Sequence, residues 1–468
     1  MPEEQALVGI SVNSSQKAET FEVAAVPSPR ARERRWDLAF LGVLAYLVIE
    51  YTRLPFMFPW MQSFDVGKIA VGISVLGLVL ARKSGRIKGS KARGIDAVLV
   101  LFLFASFLSA LGADHQSPAW EQMITTAESL VIYYLISRIV TNSWRAQIFV
   151  LVLILLNLKL AQFAIRGYIT FRDAGYSFEY LSTAGVGAGS GFFGNAGDFG
   201  VAMCVIWALT APLIFGESKT WRRLFLLLCF AAFTGAVIVC GSRGALLGVG
   251  IVAVFSWLRS SKRMMGVVLV LVVILAAVFL APEAYRDRLR SSLHPEEDPT
   301  ASMRLTLWKS GMRMFLDHPL LGVGPGNFAS EFASQYDVST RVSGMWAPHS
   351  IYVQSLSELG LLGTLPLIVL WYLFFRVNAK TREDLQSLGE DAKRRFEYRL
   401  SQGLDLAMVG FLTSGAFLTV LYYPHLWVLL GLSAGLHIAS RRQLILNTPT
   451  EDMERSENMP VWVGGRVG

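Results

Sequence analysis

The chain has 468 residues, 53% of them hydrophobic and 17% charged, with 43 Lys and Arg against 35 Asp and Glu. Apolar runs of about 20 residues, the length that a bilayer requires, recur from end to end, which excludes an ordinary soluble domain and indicates one polytopic membrane domain. The net charge of +8 would suggest nucleic acid in a soluble protein; in a membrane protein the cation bias of cytoplasmic loops accounts for most of it. Three cysteines without a CxxC and six histidines without an HExxH indicate neither a disulfide framework nor a zinc site.

Residues 1–35 are polar, rich in Ser, Glu and Arg, and read as a disordered cytoplasmic tail without a signal-peptide core. Apolar helices are expected near 37–54, 66–81, 95–112, 119–139, 146–165, 196–215, 223–240, 243–259, 264–282, 350–376, 404–421 and 424–440, about twelve in all. The membrane domain then covers 36–442, and 443–468 forms a second cytoplasmic tail. Cations cluster at Arg82–Arg93, Lys219–Arg223, Arg259–Arg263 and Arg376–Arg399. The intervening short loops, Gly112–Pro118 and Tyr422–Tyr423, hold few. This alternation places both termini in the cytoplasm, and 166–198 and the long loop 283–349 outside. The run Gly185–Gly191 reads as a flexible loop more simply than as a phosphate cradle.

Helices seven and eight leave no room for a loop, so Cys240-Gly241-Ser242-Arg243-Gly244-Ala245 forms a tight outward hairpin. Arg243 can snorkel to headgroups or grip a phosphate bidentately; the flanking glycines favour the second. Within the outer loop an amphipathic helix is expected over Ser302–Asp317. Met303, Leu307 and Met314 line one face, and Arg304, Lys309 and Arg313 make it basic, so it suits the membrane surface. Arg304, at its start, is the cation best placed to enter a site. The stretch His318–Phe328, rich in Pro and Gly, lacks dinucleotide spacing and reads as a rigid turn packed on the membrane domain.

His349 directly precedes the tenth apolar helix. Taken alone, it is better explained as a cap or packing residue than as a functional one. The helix N-terminus, however, disfavours imidazolium and keeps the ring neutral, as a general base requires, and the same end attracts phosphate. Glu358, about two and a half turns deeper, either orients polar residues of a site or pairs with a buried arginine.

These segments resemble the O-antigen ligase and O-antigen polymerase superfamily. The resemblance rests on Gly241-Ser242-Arg243-Gly244-Ala245, on Arg304-Leu305-Thr306-Leu307-Trp308 leading to Pro319–Phe328, and on His349-Ser350-Ile351-Tyr352-Val353 followed by Glu358–Gly363. It spans roughly 190–365. Ser350 departs from the asparagine usual after the histidine, and Gly194–Gly200, with Asn195, is similar to a further family element. The resemblance implies an all-α membrane glycosyltransferase of the C-type architecture, with short helices in its large periplasmic-side loop. Its donor would be a glycan on undecaprenyl pyrophosphate at the outer face of the bacterial cytoplasmic membrane. Arg243 and Arg304, with Ser242 and Asn195, would bind substrate, and His349 would be catalytic. No cofactor, metal or nucleic acid is implied.

The expected reaction moves that glycan onto an acceptor hydroxyl of a glycan or glycolipid during surface-polysaccharide assembly, as ligase or polymerase, with inversion. Protein O-glycosylation is the near alternative. A transporter of polysaccharide or lipid-linked substrate is the alternative from another class; it would need paired charges near the midplane, for which Glu128, Lys159 and Glu358 are the candidates.

Overall fold

The apolar runs fold as helices because a helix satisfies its backbone polar groups within itself, away from water. The computed structural model describes residues 36–52, 58, 61, 63–83, 93–175, 195–259, 299–336 and 346–447. The expected helix over 264–282, the run 185–191, residues 1–35 and most of the C-terminal tail lie outside them.

Among the described residues the protein is all-helical. In chain order the helices are α1 (Leu38–Thr52), α2 (Val66–Lys83), α3 (Arg93–Leu111), α4 (Gln116–Ile139), α5 (Ser143–Asp173), α6 (Ala196–Gly216), α7 (Thr220–Val239) and α8 (Arg243–Arg259). The loop helix α9 (Pro299–Asp317) follows, then a short helical turn over Phe328–Tyr336. The chain then forms α10 (Ile351–Gln386), α11 (Phe396–Gly415) and α12 (Pro424–Asn447). By length and composition α3, α5, α6, α7 and α10 can cross a membrane, whereas α1 and α8 are apolar but shorter. This is a membrane protein.

Several boundaries differ from the sequence expectation for local reasons. Helix α5 starts at Ser143 because Asn142 caps it, its side chain accepting from the Arg145 N–H at 2.9 Å. It continues to Asp173, well past Arg166. Helix α11 starts eight residues and ends six residues earlier than expected: polar residues such as Glu397 and Arg399 belong to its first turns, and residues 416–423 leave the helix as turns. Helix α10 runs on to Gln386.

Helix α6 is apolar on all sides and almost wholly buried, as such a helix must be. It packs against α7, α8 and α11. Small residues let the backbones approach: a Cβ added to Gly403 would stand 2.5 Å from the Leu209 carbonyl oxygen.

One end of the bundle is laced by ion pairs, Asp37 with Arg145 and Asp96 with Arg138. These join the starts of α1, α3 and α5 to the end of α4. The other end gathers the turn after α3, the start of α6, the α7–α8 hairpin, the start of α10 and the α11–α12 turn. These are the segments that the cation pattern assigns to the outside.

Candidate active site

The site is built around a broken helix. At Gly360 the backbone of α10 leaves helical geometry (φ 58°, ψ −160°), which exposes peptide groups that must find other partners. The Pro319–Gly326 turn supplies them. The N–H groups of Val323 and Gly324 donate to the carbonyls of Ser357 and Glu358 at 2.9 and 3.0 Å. In return Leu361 and Leu362 donate to Pro319 and Leu320 at 2.9 and 3.0 Å. Only glycines permit this approach: a Cβ on Gly322 (φ +67°) would stand 2.5 Å from the Glu358 carbonyl carbon, and one on Gly360 2.5 Å from that of Leu320. The rigid docking turn expected from the sequence is therefore present, and it inserts into the helix itself.

Glu358 lies under this junction, 2% exposed. It accepts from the Tyr422 hydroxyl at 2.8 Å, from Gln354 at 3.4 Å and from the Gly326 and Phe328 amides. Its partners are thus a tyrosine, a glutamine and the docked turn, not an arginine. Of the three charges considered for transport, Glu128 is half exposed and ion-paired to Lys68 at 3.4 Å, and Lys159 is exposed.

The same turn anchors α9. Leu307 and Met314 pack with Val323, Phe328 and Phe332, and Met303 covers them, as the amphipathic reading expected. Leu305, Met312 and Leu316 stay exposed on the other side, so the helix carries two apolar faces. Lys309 and Arg313 are exposed, while Arg304 is half-buried. The indole N–H of Trp308 donates to the Pro348 carbonyl at 2.9 Å, which ties α9 to the residue before His349.

His349 is the one non-glycine residue with positive φ (48°) among the described residues, a conformation that the surroundings must impose. Its own N–H donates to Thr419 Oγ1 at 2.9 Å, and Ser350 then caps α10 by accepting from the Val353 N–H at 3.5 Å. The position usually held by asparagine is therefore a helix cap here. Burial first, and the Arg304 guanidinium second, hold the imidazole below its ordinary 6.5. The ring is neutral near pH 7, with a cation beside it.

His349 opens on a cavity of about 270 Å³ lined also by Gln122, Asn195, Asp198, Gln354, Thr419, Tyr422 and Tyr423. Asn195 caps α6, accepting from the Asp198 N–H at 3.0 Å and donating to the Asp198 carboxylate at 2.8 Å. Tyr423 donates to that same carboxylate. Two consecutive tyrosines thus each hold a buried acid, Tyr422 on Glu358 and Tyr423 on Asp198.

Arg243 and Arg304 do not line this cavity, but both elements that carry them rest on its wall. The Ser414–Thr419 turn is the shared platform. A Cβ on Gly244 would stand 3.4 Å from that of Phe417, Trp308 lies 6.2 Å from the Phe417 ring, and Thr419 holds His349. The α7–α8 turn is as tight as expected, with Gly241 at φ +68°. Ser242 spends its hydroxyl as a cap, accepting from the Ala245 N–H at 3.3 Å. The structure therefore brings Arg304 to His349 and sets Arg243 at the adjoining hairpin.

Asp198, Gln354, Thr419 and Tyr422–Tyr423 were not singled out from the sequence as a site. Two signals were available for Asp198, an acid in the first turn of an otherwise apolar helix and its place within Gly194–Gly200; the tyrosines carried none.

Residues 201–368 match the family model described as O-antigen ligase. No curated protein matches the chain. The matched stretch contains Ser242, Arg243, Arg304 and His349; Asn195 and Asp198 lie just before it, and Thr419 and both tyrosines lie more than 50 residues beyond its end. Over residues 201–368, which hold the hairpin arginine, the loop helix and the strained histidine, this membrane protein is thus similar to the O-antigen ligase family of membrane glycosyltransferases.

Proposed function

We propose that the protein transfers a glycan from an undecaprenyl-pyrophosphate carrier to an acceptor hydroxyl at the outer face of the bacterial cytoplasmic membrane, as ligase or polymerase of a surface polysaccharide. The observation that carries this reading is His349: strained, neutral, beside Arg304, and opening on a polar cavity. Both termini are cytoplasmic in this reading, and the site end of the bundle faces outward.

The acceptor oxygen attacks the anomeric carbon while His349 takes its proton. The bond to the pyrophosphate breaks, and its electron pair leaves with the phosphate oxygen. Arg304 and Arg243 meet the growing charge; a well-placed donor of this kind contributes roughly 3–4 kcal/mol in a dry site. A single displacement inverts the anomeric centre. The cavity, with its acids and tyrosines, suits the hydroxyl-rich acceptor, and Ser242 and Asn195 act by capping the helices that carry these walls.

The test is transfer in vitro from a synthetic polyprenyl-pyrophosphate glycan to a panel of acceptors. Transfer to a lipid-anchored core sugar identifies a ligase, elongation of a repeat unit a polymerase, and modification of a protein hydroxyl the alternative reading. No transfer to any acceptor by the purified, folded protein, with the donor shown to bind, overturns the proposal.

A further inference from the structure

The end of the bundle opposite the site holds a second cavity, a groove of about 680 Å³ between α5, α6, α7 and α11. Helix α6 connects the two. It begins in the active-site wall and ends at Gly216 in the groove, and its 21 residues at about 1.5 Å each span about 30 Å, the thickness of a bilayer core. The groove therefore sits at headgroup level in the leaflet facing away from the site.

Its lining joins two chemistries. Leu151, Trp221 and Phe225 give it an apolar side, with Trp221 66% exposed as interfacial tryptophans are. Arg399 gives it a cation. The Arg399 stem lies across Gly216, where a Cβ would stand 2.6 Å from Arg399 Cγ. One guanidinium nitrogen donates to Gln402 at 3.3 Å, but Nε is buried and meets no acceptor. A buried N–H left in that state is costly unless a ligand meets it. The one acid in the lining, Glu217, is engaged by the Lys219 N–H at 2.9 Å and by Arg222 at 3.9 Å.

We infer that this groove binds an anionic glycerophospholipid of that leaflet, its phosphate on the Arg399 guanidinium and its acyl chain along Trp221, Phe225 and Leu151. A planar guanidinium suits a phosphate oxygen pair, and basic pockets between spanning helices select anionic headgroups. The inference is independent of glycan transfer and goes beyond it.

Native mass spectrometry of the full chain in detergent, titrated with phosphatidylglycerol or phosphatidylcholine, tests this. Phosphatidylglycerol should be retained at about fivefold lower concentration than phosphatidylcholine, the effect of one cation near the surface. Arg399→Gln should erase the preference and Arg399→Lys keep part of it. Should Arg399→Gln fail to fold, Gln147→Glu serves instead. Gln147 is exposed on the groove rim, and a carboxylate there should repel the headgroup without disturbing packing. Equal retention of the two lipids, or a preference unchanged in both Arg399→Gln and Gln147→Glu, overturns the inference. Displacement of the lipid by millimolar inorganic phosphate does so too, since it would mark a site for the free anion.

Discussion

Replacing Gly322 by alanine should detach the outer loop while leaving the bundle assembled. The added Cβ would stand 2.5 Å from the Glu358 carbonyl carbon and 2.6 Å from both its oxygen and the Leu359 nitrogen. These are backbone atoms of a packed helix and cannot swing aside. The positive φ of +67° adds about 1–2 kcal/mol for any residue with a Cβ, and overpacking adds about 1–3 kcal/mol. Against this stand the four backbone hydrogen bonds of the junction, each contributing about 1 kcal/mol net. Cost and holding energy are comparable, so the turn should leave the break in α10 and take α9 and Arg304 with it. Limited proteolysis of the purified protein should then cut within 299–336, and transfer should fall at least tenfold, while the melting of the remaining helices changes little. Gly250→Ala is the control, because nothing lies within 4 Å of its Cβ position and a helical Gly→Ala change is mildly stabilising. A Gly322→Ala protein with normal activity and normal protease resistance would refute the account of this junction.

The pH profile should report His349. With its imidazole held below the ordinary 6.5 by burial and by Arg304, the base form is lost only as pH falls through that lowered value, so transfer should be flat around neutrality and decline on the acid side. Arg304→Gln removes the neighbouring positive charge and should move that acid limb upward as well as slow the reaction; a limb that stays in place would remove the pairing of these two groups. Arg243→Lys keeps the charge but loses the planar fork, so transfer should fall by tenfold or more with normal membrane insertion, and an unchanged rate in the same transfer assay would contradict bidentate phosphate holding. Tyr422→Phe takes the 2.8 Å donor from Glu358 and should cost about 0.5–1.5 kcal/mol, the net contribution of one hydrogen bond, measured by thermal denaturation in detergent; an unaltered melting point would mean that the amides of the docked turn suffice alone.

Much of this molecule was legible along the chain because bilayer physics acts locally. A run of apolar residues must become a helix, and glycines around Ser242–Arg243 announce a turn whatever surrounds them. The docking of Pro319–Phe328 followed from its Pro and Gly content, and the preference for Arg304 over Lys309 and Arg313 from its place at the start of the loop helix. The cavity did not. Gln122, Asp198, Gln354, Thr419 and the tyrosines at 422 and 423 meet only after α4, α6, α10 and the α11–α12 turn have packed, and no local pattern brings positions hundreds of residues apart together. The break at Gly360 was equally hidden: a glycine in an apolar run reads as helix, and it becomes an interruption only because another segment's backbone competes for its hydrogen bonds. Single residues and their periodicity decided which helices exist; contacts between distant helices decided where the histidine, the acids and the arginine meet.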